Sequence, residues 1–532
     1  MSTPPDLQPS ELEHLRALGI STTEVVRQLR LLRHPPAPPA LDRPCRIGDG
    51  IKQIGTADAD RLIRLGEGAA HAGRIQKFVP ASGAATRMFS GLEEFTRPAA
   101  AKSVRELQLL ADQGNSNTAA LLQFLAELER FPFYPTLRAS VEQSGERITE
   151  LREDCGYVEL LDHLLEPAKL AYSSKAKGLL DFHRYPAGHA RTAFEEQLIE
   201  SLGYCTDSQG NVNSHFTVAP DQLEAFEALS SEVCRTIRES HGVLPVVTFS
   251  TQSRAGDTLA IDSDGEPLRT PDGDLLLRPA GHGALIQNLQ NLDGDIVVIK
   301  NIDNIAPEAR HAGGAHWKKL LVGHLLEVQA KIFSHLGHLR KIEDSIAAGG
   351  ALDAIEPAIA FLQEELALAL PSEVIGGDPA AQREYLISRL DRPLRVCGMV
   401  QNEGEPGGGP FWVGTQGGEI SGQIIEAAQI DRHDPSAVEI WASATHFNPV
   451  DLVCSLRDAE GQAYDLQQFI DPTTAMVVNK EADGRKFRAL ERPGLWNGAM
   501  AGWNTAFVEV PAETFTPVKT IFDLLRPEHQ PH

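Results

Sequence analysis

Residues 77–91 read KFVPASGAATRMFSG. Phe78 and Val79 end an apolar run typical of a buried strand, a loop of small residues follows, and a helix is predicted to open at Thr86. Such a loop brings bare backbone N–H groups against an anion, and the helix dipole adds partial positive charge. The alternative is a turn whose small residues serve packing alone. The stretch is neither a P-loop nor a dinucleotide fingerprint, because it lacks Gly-Lys-Ser/Thr and three spaced glycines.

This loop supplies the first candidates for a phosphate-binding site. Arg87 adds a full positive charge beside the backbone N–H groups. The loop residues predicted to contact the phosphate are Ala81, Ser82, Gly83, Ala84 and Thr86.

The chain of 532 residues is strongly acidic, with 49 Lys and Arg against 73 Asp and Glu and a formal net charge of −24. This excess argues against a general affinity for nucleic acid or anionic membranes, so a phosphate site must be a local basic spot. The six cysteines include no C-x-x-C pair, which fits neither a disulfide framework nor a cysteine-based zinc site. With no run of about 18 apolar residues and no signal-peptide pattern, we expect a cytoplasmic protein.

The periodicity of the chain predicts an α/β protein with a mostly parallel sheet covered by helices. Residues 1–70 are predicted to form a helical N-terminal extension that includes a proline-rich connector. Residues 71–313 and 390–532 are predicted to form the α/β core, with a helical insertion at about 101–170. Residues 314–389 are predicted to form a helical subdomain.

Residues 173–198 form a local basic segment in this acidic chain. It contains six basic or histidine side chains within 17 positions, among them Lys177 and Arg191. A function in anion binding is one interpretation. A loop whose cations pair with surface carboxylates is the other.

Two later stretches suggest a second loop and a metal-binding residue. Residues 275–292 place Gly281, His282 and Gly283 ahead of a predicted helix. The following strand within 293–305 ends near Asp303 and Asn304. An acidic side chain just past the end of a parallel strand is well placed to hold Mg²⁺ against a phosphate, although Asp303 could equally cap the next element. Lys519 is a late cation that could face the same pocket.

Four partial motifs, and a looser fifth, occur in the chain order of the sugar nucleotidyltransferases. ASGAATRM (81–88) resembles their A-G-G-x-G-T-R-L loop, and KGLL at Lys177 resembles their P-K-G segment. RPAGHGAL and VVIKNIDNI resemble segments of UDP-sugar pyrophosphorylases, and FNPVDLV resembles their F-N-x-x-N segment. The whole chain also resembles a bacterial family of unknown function, found mainly in Bacteroidota, through PASGAATRMF, KNIDN and LWNGAMAGWNT.

The resemblance implies a three-layer, GT-A/Rossmann-like domain that binds a nucleotide under the first loop. It implies that Arg87, Lys177 and Asp303 are catalytic, with Mg²⁺ as cofactor. It assigns further residues to the nucleotide, the substrate and the metal. These are Gly281, His282 and Gly283 for the base or sugar, Arg191, Asn304, Asn448 and Lys519 for the substrate, and Asp303 and Asp451 for Mg²⁺.

The function implied is a Mg²⁺-dependent nucleotidyltransferase that acts on a nucleoside triphosphate and a sugar phosphate. A GT-A-fold glycosyltransferase is an alternative, although it would usually need a D-x-D pair where this chain has NIDN. A non-catalytic nucleotide-binding protein is another. The sequence leaves the base, the sugar and the oligomeric state open.

Overall fold

The fold is described from a computed structural model. It describes residues 7–97, 102–152, 155–279, 281–341, 352–405, 407–415, 417–482 and 484–531.

The described residues form short and long α-helices throughout the chain. In chain order they are α1 Pro9–Ala17, α2 Thr22–Arg33, α3 Thr56–His71, α4 Thr86–Phe89, α5 Val104–Asp112, α6 Ser116–Glu127, α7 Tyr134–Gln143, α8 Ile148–Leu151, α9 Tyr157–Leu165, α10 Ala193–Cys205, α11 Leu223–His241, α12 Ile286–Gln290, α13 His311–Lys341, α14 Leu352–Glu365, α15 Ser372–Ile375, α16 Pro379–Leu390 and α17 Pro435–Ala442. Within these residues, none of the helices is both long and apolar enough to cross a membrane.

The β-strands lie between these helices along the chain, singly or in groups. In chain order they are β1 Ala40–Pro44, β2 Arg46–Ile47, β3 Gly50–Lys52, β4 Ile75–Pro80, β5 Asp181–Arg184, β6 Ala190–Thr192, β7 Asn211–Val218, β8 Leu244–Thr251, β9 Thr258–Ile261, β10 Leu277–Arg278, β11 Ile296–Lys300, β12 Leu368–Ala369, β13 Leu394–Gln401, β14 Gly409–Gly414, β15 Ile420–Ile425, β16 His446–Phe447, β17 Asp451–Ser455, β18 Met476–Ala482, β19 Arg485–Glu491 and β20 Asn504–Glu509.

The chain divides into two units, each with its own core. Unit 1 comprises Met1–Phe78, Gln252–Ile299 and Trp317–Ala512, and unit 2 comprises Val79–Thr251, Lys300–His316 and Glu513–His532. The chain passes from one unit to the other within β4, within β11 and within α13.

Unit 1 contains a sheet with the strand order β2-β3-β20-β13-β17-β11-β4. Its pairs β2/β3, β3/β20, β20/β13 and β11/β4 are parallel, and β13/β17 is antiparallel. Strands β11 and β13 are buried along nearly their whole length, as expected of a sheet that is covered on both faces. The mostly parallel sheet predicted from the sequence is confirmed.

The N-terminal helices of unit 1 pack on a second, antiparallel sheet with the order β10-β9-β19-β18. Leu15, Val25 and Leu32 share a core with Leu259 and Ile261, and all five side chains are buried. The buried positions of α2 recur at three and four residues, which is the amphipathic pattern that predicted this helix.

Unit 2 is built around the parallel pair β7/β8 and the helices α10 and α11. Helices α5 to α9 cover the stretch predicted as a helical insertion. The core of the unit is rich in phenylalanine; for example, the ring centroids of Phe194 and Phe216 are 4.6 Å apart, and those of Phe131 and Phe133 are 5.0 Å apart.

The helix expected after the first loop differs from the prediction. Helix α4 has only four residues, Thr86–Phe89. A helix of one turn aligns few peptide dipoles, so its contribution to anion binding is small. Any positive potential at this loop therefore comes from individual N–H groups and side chains.

Candidate functional site

The first loop of unit 2 is anchored at both ends and exposed at its tip. Ala81 N–H donates to Thr217 O over 2.8 Å, and both Ala81 and Ala85 are buried. Gly83 and Ala84, between them, are exposed. A Cβ added to Gly83 would meet no atom within 4 Å. The tip is therefore open to a ligand.

The loop lies directly against the segment that carries Lys177. Ala85 N–H donates to Lys175 O over 2.9 Å, and Lys177 N–H donates to Gly83 O over 3.1 Å. Within the described part of the chain, no backbone acceptor is recorded for the N–H groups of Ser82, Gly83 and Ala84. These N–H groups remain available to an anion.

Arg87 is exposed on α4, just beyond the tip. Across the described residues, no carboxylate pairs with its guanidinium. Such an arginine can pair with a phosphate at little cost in existing contacts.

Asp303, just after β11, accepts from two lysines within unit 2. Its Oδ2 lies 2.8 Å from Lys177 Nζ and 3.1 Å from Lys519 Nζ. Lys177 Nζ also donates to Val518 O over 2.9 Å. Burial on its own would raise the pKa of Asp303, but the ammonium groups of Lys519 and Lys177 outweigh it and hold that pKa below its usual value. Asp303 is thus a buried, ionised carboxylate with two cations.

The C-terminal segment is hydrogen-bonded to Asp303 and to its neighbour Asn304. Asn304 Oδ1 accepts from Thr516 N–H over 2.9 Å, and Val518 N–H donates to Asp303 O over 2.8 Å. Gln197 Nε2, on α10, donates to Asn301 O over 2.9 Å. The Asn304 side chain is therefore buried against the backbone of the C-terminal segment that carries Lys519.

Arg191 is engaged in a separate cluster of unit 2. Its Nη1 lies 2.6 Å from Glu308 Oε2, and its guanidinium stacks over the ring of Tyr185 at 4.4 Å. The Tyr185 hydroxyl donates to Glu196 Oε1 over 2.5 Å. The ion pair and the stacking place Arg191 in an internal network.

At the centre of that network, Glu196 contacts His183, which in turn contacts His529. His183 Nδ1 lies 3.1 Å from Glu196 Oε1, and His183 Nε2 lies 3.1 Å from His529 Nδ1. Burial raises the pKa of Glu196 to about 7, and His311, Tyr185 and Arg191 offset this only in part. Burial, with the charge of Arg191, lowers the pKa of His183 to about 3. No sequence motif predicts that His183 lies between Glu196 and His529.

The second predicted loop lies in unit 1 and carries His282. The imidazole stacks on Trp496, with ring centroids 4.3 Å apart, and His282 Nδ1 accepts from Leu495 N–H over 3.1 Å. A Cβ on Gly494 would lie 2.3 Å from the imidazole, so the glycine permits this close approach. His282 thus packs against the LWNG segment, in which the sequence indicated only a family resemblance and no contact with this loop.

The glycines on either side of His282 shape the same loop. Gly281 has φ of +66°, a conformation that favours glycine, and Gly283 approaches Pro493 O too closely for a side chain. Gly283 also borders a cavity of about 390 Å³ in unit 1, which is lined in part by Glu24, Arg27, Ser253, Gln287 and Arg492.

Asn448 and Asp451 lie in unit 1 on either side of an unusual backbone conformation. Asn448 Oδ1 accepts from Val450 N–H over 3.1 Å, and Val450 has φ of +58°. A β-branched residue in the left-handed region is strained. Asp451 is buried in an ion pair with Lys318, so a metal ion there would have to displace an ammonium group.

The chain belongs to a family of proteins described as domain of unknown function DUF4301, whose model matches residues 8–530. No curated protein matches it in sequence.

Solved structures of UDP-sugar pyrophosphorylases are similar to the chain. The UDP-N-acetylglucosamine pyrophosphorylase of Trypanosoma brucei, in complex with inhibitor, has 12% identity and a TM-score of 0.46 over 98% of this chain and 79% of its own. A UDP-glucose pyrophosphorylase mutant of Leishmania major, in complex with UDP-glucose, has 12% identity and a TM-score of 0.42 over the same shares. The UDP-glucose phosphorylase of Trypanosoma brucei has 13% identity and a TM-score of 0.44 over 97% and 77%.

Proposed function

We propose that this protein is a nucleotidyltransferase of the pyrophosphorylase type, which transfers a nucleotidyl group from a nucleoside triphosphate to a sugar 1-phosphate or a similar phosphate. One arrangement in unit 2 carries the proposal. The exposed tip of the first loop is hydrogen-bonded to the segment of Lys177, and Lys177 contacts Asp303. The motif resemblance of the two loops and of the NIDN segment supports the same reading.

This reaction requires positive charges fixed near the leaving group rather than a covalent nucleophile. An oxygen of the sugar phosphate attacks the α-phosphorus, the bond from that phosphorus to the bridging oxygen breaks, and pyrophosphate leaves with the electron pair. Negative charge then moves onto the leaving group. We assign Lys177 and Arg87 to stabilise that charge, and the N–H groups of Ser82 and Gly83 to bind the triphosphate.

The residues near Asp303 fit a Mg²⁺ ion. Mg²⁺ takes one or two carboxylates together with water and substrate phosphates. Asp303 Oδ1 contacts only Lys519, at 3.3 Å, among the described residues, and the Lys519 side chain is half exposed and able to move away. Asp303 would hold the ion, which would supply positive charge to the phosphates.

Pyrophosphate release tests the proposal. The purified full chain is incubated with Mg²⁺, one of ATP, GTP, CTP or UTP, and a panel of sugar 1-phosphates. We expect pyrophosphate with one triphosphate, and its loss in Asp303→Asn. Lys486→Gln, a change of an exposed lysine on β19, serves as the control with the rate of the unmodified chain.

If every triphosphate stays intact with every acceptor, the transferase proposal fails. A triphosphate that raises the melting temperature without being consumed would instead indicate a binding protein. Hydrolysis of a sugar nucleotide in place of its synthesis would favour the glycosyltransferase alternative.

A further inference from the structure

Away from the proposed nucleotide site, the helical insertion of unit 2 contains a group of metal-ligating side chains. Ligand atoms of Glu146, Glu159 and His163 all lie within 4.8 Å of one another. Among the described residues, no other three His, Cys, Asp or Glu side chains converge in this way. Glu159 and His163 are four positions apart on α9, and so lie on one face of the helix. Glu146 comes from the turn between α7 and α8.

The imidazole of His163 is buried and directs its Nε2 into this group. The side chain is 1% exposed, and across the described part of the chain its Nε2 makes no hydrogen bond. Glu146 Oε2 is a second buried atom without one. Because a buried polar atom without a hydrogen bond is destabilising, two that face each other indicate a shared ligand between them.

The distances suit a metal ion between these atoms. His163 Nε2 lies 3.4 Å from Glu146 Oε2 and 3.7 Å from Glu159 Oε1. Ligand atoms around a tetrahedral zinc, with bonds of about 2.0–2.1 Å, lie roughly 3.4 Å apart. The two carboxylates are partly exposed, which gives an ion a path from solvent and leaves room for water as a fourth ligand.

The other ring nitrogen of His163 is already oriented for this role. His163 Nδ1 lies 3.0 Å from Ser140 Oγ, on α7. When Nδ1–H donates to Ser140, Nε2 carries the lone pair that a metal needs. Metal-bound histidines usually have such a partner on the second nitrogen.

We propose that Glu146, Glu159 and His163 bind a zinc ion, which ties the turn after α7 to α9. One imidazole and two carboxylates favour zinc over Mg²⁺, which prefers oxygen ligands only. Lys169 competes for the same place, because its Nζ lies 2.8 Å from Glu159 Oε1 and 2.7 Å from Asp162 Oδ2. The proposal does not depend on the proposed nucleotidyltransferase activity.

Zinc titration of the metal-free full chain, in competition with a chromophoric chelator and in excess Mg²⁺, tests the site. We expect one tightly bound equivalent, which His163→Gln and Glu159→Gln each abolish. Ser140→Ala should weaken binding by roughly tenfold to a hundredfold, as for other partners of metal-bound histidines. His433→Gln, at an exposed histidine of unit 1, is the matched control and should bind as the unmodified chain does.

Lys169→Met separates a metal site from an ion-pair cluster. Removal of the competing ammonium should tighten zinc binding, by about tenfold if the change is worth about 1.4 kcal/mol. Weaker binding in Lys169→Met, no tight zinc in the unmodified chain, or full binding in both Glu159→Gln and His163→Gln would overturn the proposal. Glu159 is partly exposed, so Glu159→Gln remains informative if His163→Gln does not fold.

Discussion

Lys177 Nζ lies 2.8 Å from Asp303 Oδ2, although 126 positions separate the two residues in the chain. Both side chains are only 12% exposed. The contact joins the end of β11 to the segment that pairs with the first loop. A single lysine thus links the predicted phosphate loop to the predicted metal-binding carboxylate.

Lys177→Met should lower turnover more than substrate binding. Loss of one preorganised charge that acts on the leaving group typically lowers kcat by about 10²–10³-fold. We expect this loss in the pyrophosphate assay, with a much smaller change in the Kd of the triphosphate measured by calorimetry. A weaker Kd for the triphosphate with an unchanged kcat would instead assign Lys177 to uniform binding of ground state and transition state.

The two lysines that contact Asp303 should contribute differently to the free energy of unfolding. Lys177→Met removes the buried partner of Asp303, and breaking a buried ion pair costs about 3–5 kcal/mol. Because Lys519 still contacts Asp303 in this variant, we expect a loss of unfolding free energy of about 3 kcal/mol, the smaller value. Lys519 is half exposed, so Lys519→Met should cost below about 1 kcal/mol. Urea unfolding of both variants measures the difference, and equal costs would contradict the prediction.

This difference should also depend on pH. The folded state lowers the pKa of Asp303, so the unfolded chain binds more protons at acidic pH. The stabilising contribution is therefore present above the ordinary pKa of an aspartate, and it is lost as pH falls through the lowered value. The gap between the two variants should shrink accordingly in acid.

Gly83→Ala should separate folding from ligand binding at the first loop. A Cβ there meets no atom within 4 Å, so the melting temperature should stay close to that of the unmodified chain. The added methyl would stand between the loop backbone and a phosphate, and we expect triphosphate binding to weaken by about tenfold. Unchanged binding in calorimetry would show that the tip does not approach the ligand.

Glu196→Gln should change how stability depends on pH. The pKa of Glu196 is about 7 in the folded state, against 4.5 ordinarily, so the folded chain binds more protons between these values. The contribution of Glu196 to the free energy of unfolding therefore falls as pH rises from 4.5 through 7, by on the order of 3 kcal/mol in total. The variant cannot titrate and should lose this dependence.

Urea unfolding at pH 5 and pH 8 measures the effect. The neighbouring Glu195, whose pKa burial also raises to about 7, is present in both proteins, and its pKa falls in the variant because the charge of Glu196 is removed. Glu142→Gln, at an exposed glutamate of α7, is the control and should keep the pH dependence of the unmodified chain. The same slope in Glu196→Gln would refute the raised pKa.

Gly494→Ala should destabilise unit 1 through the ring of His282. The new Cβ would lie 2.3 Å from the imidazole, which is stacked on Trp496 and has little freedom to move. Overpacking of this kind typically costs about 1–3 kcal/mol. We expect a lower melting temperature, largely restored in Gly494→Ala combined with His282→Ala. No rescue would mean that the glycine is needed for another reason.

The sequence by itself determined the α/β class, the strands around both loops and the N-terminal helices. These depend on local periodicity, because burial of one face requires apolar residues at the spacing of a helix or strand. The proline-rich connector was recognised by its composition, and β1 lies at its end. Arg87, Lys177, Asp303 and Lys519 were all singled out by residue type and position.

The tertiary structure decided which of these residues meet. It brought Lys177 and Lys519 to one carboxylate in unit 2, placed His282, Asn448 and Asp451 in unit 1, and engaged Arg191 with Glu308. It also linked Glu196 to His529 through His183, and brought Glu146 next to His163, although no sequence motif indicated either contact. The physical reason is that local patterns specify which face of an element is buried, whereas the partner of a buried charge depends on chain segments that are distant in sequence and meet only on folding.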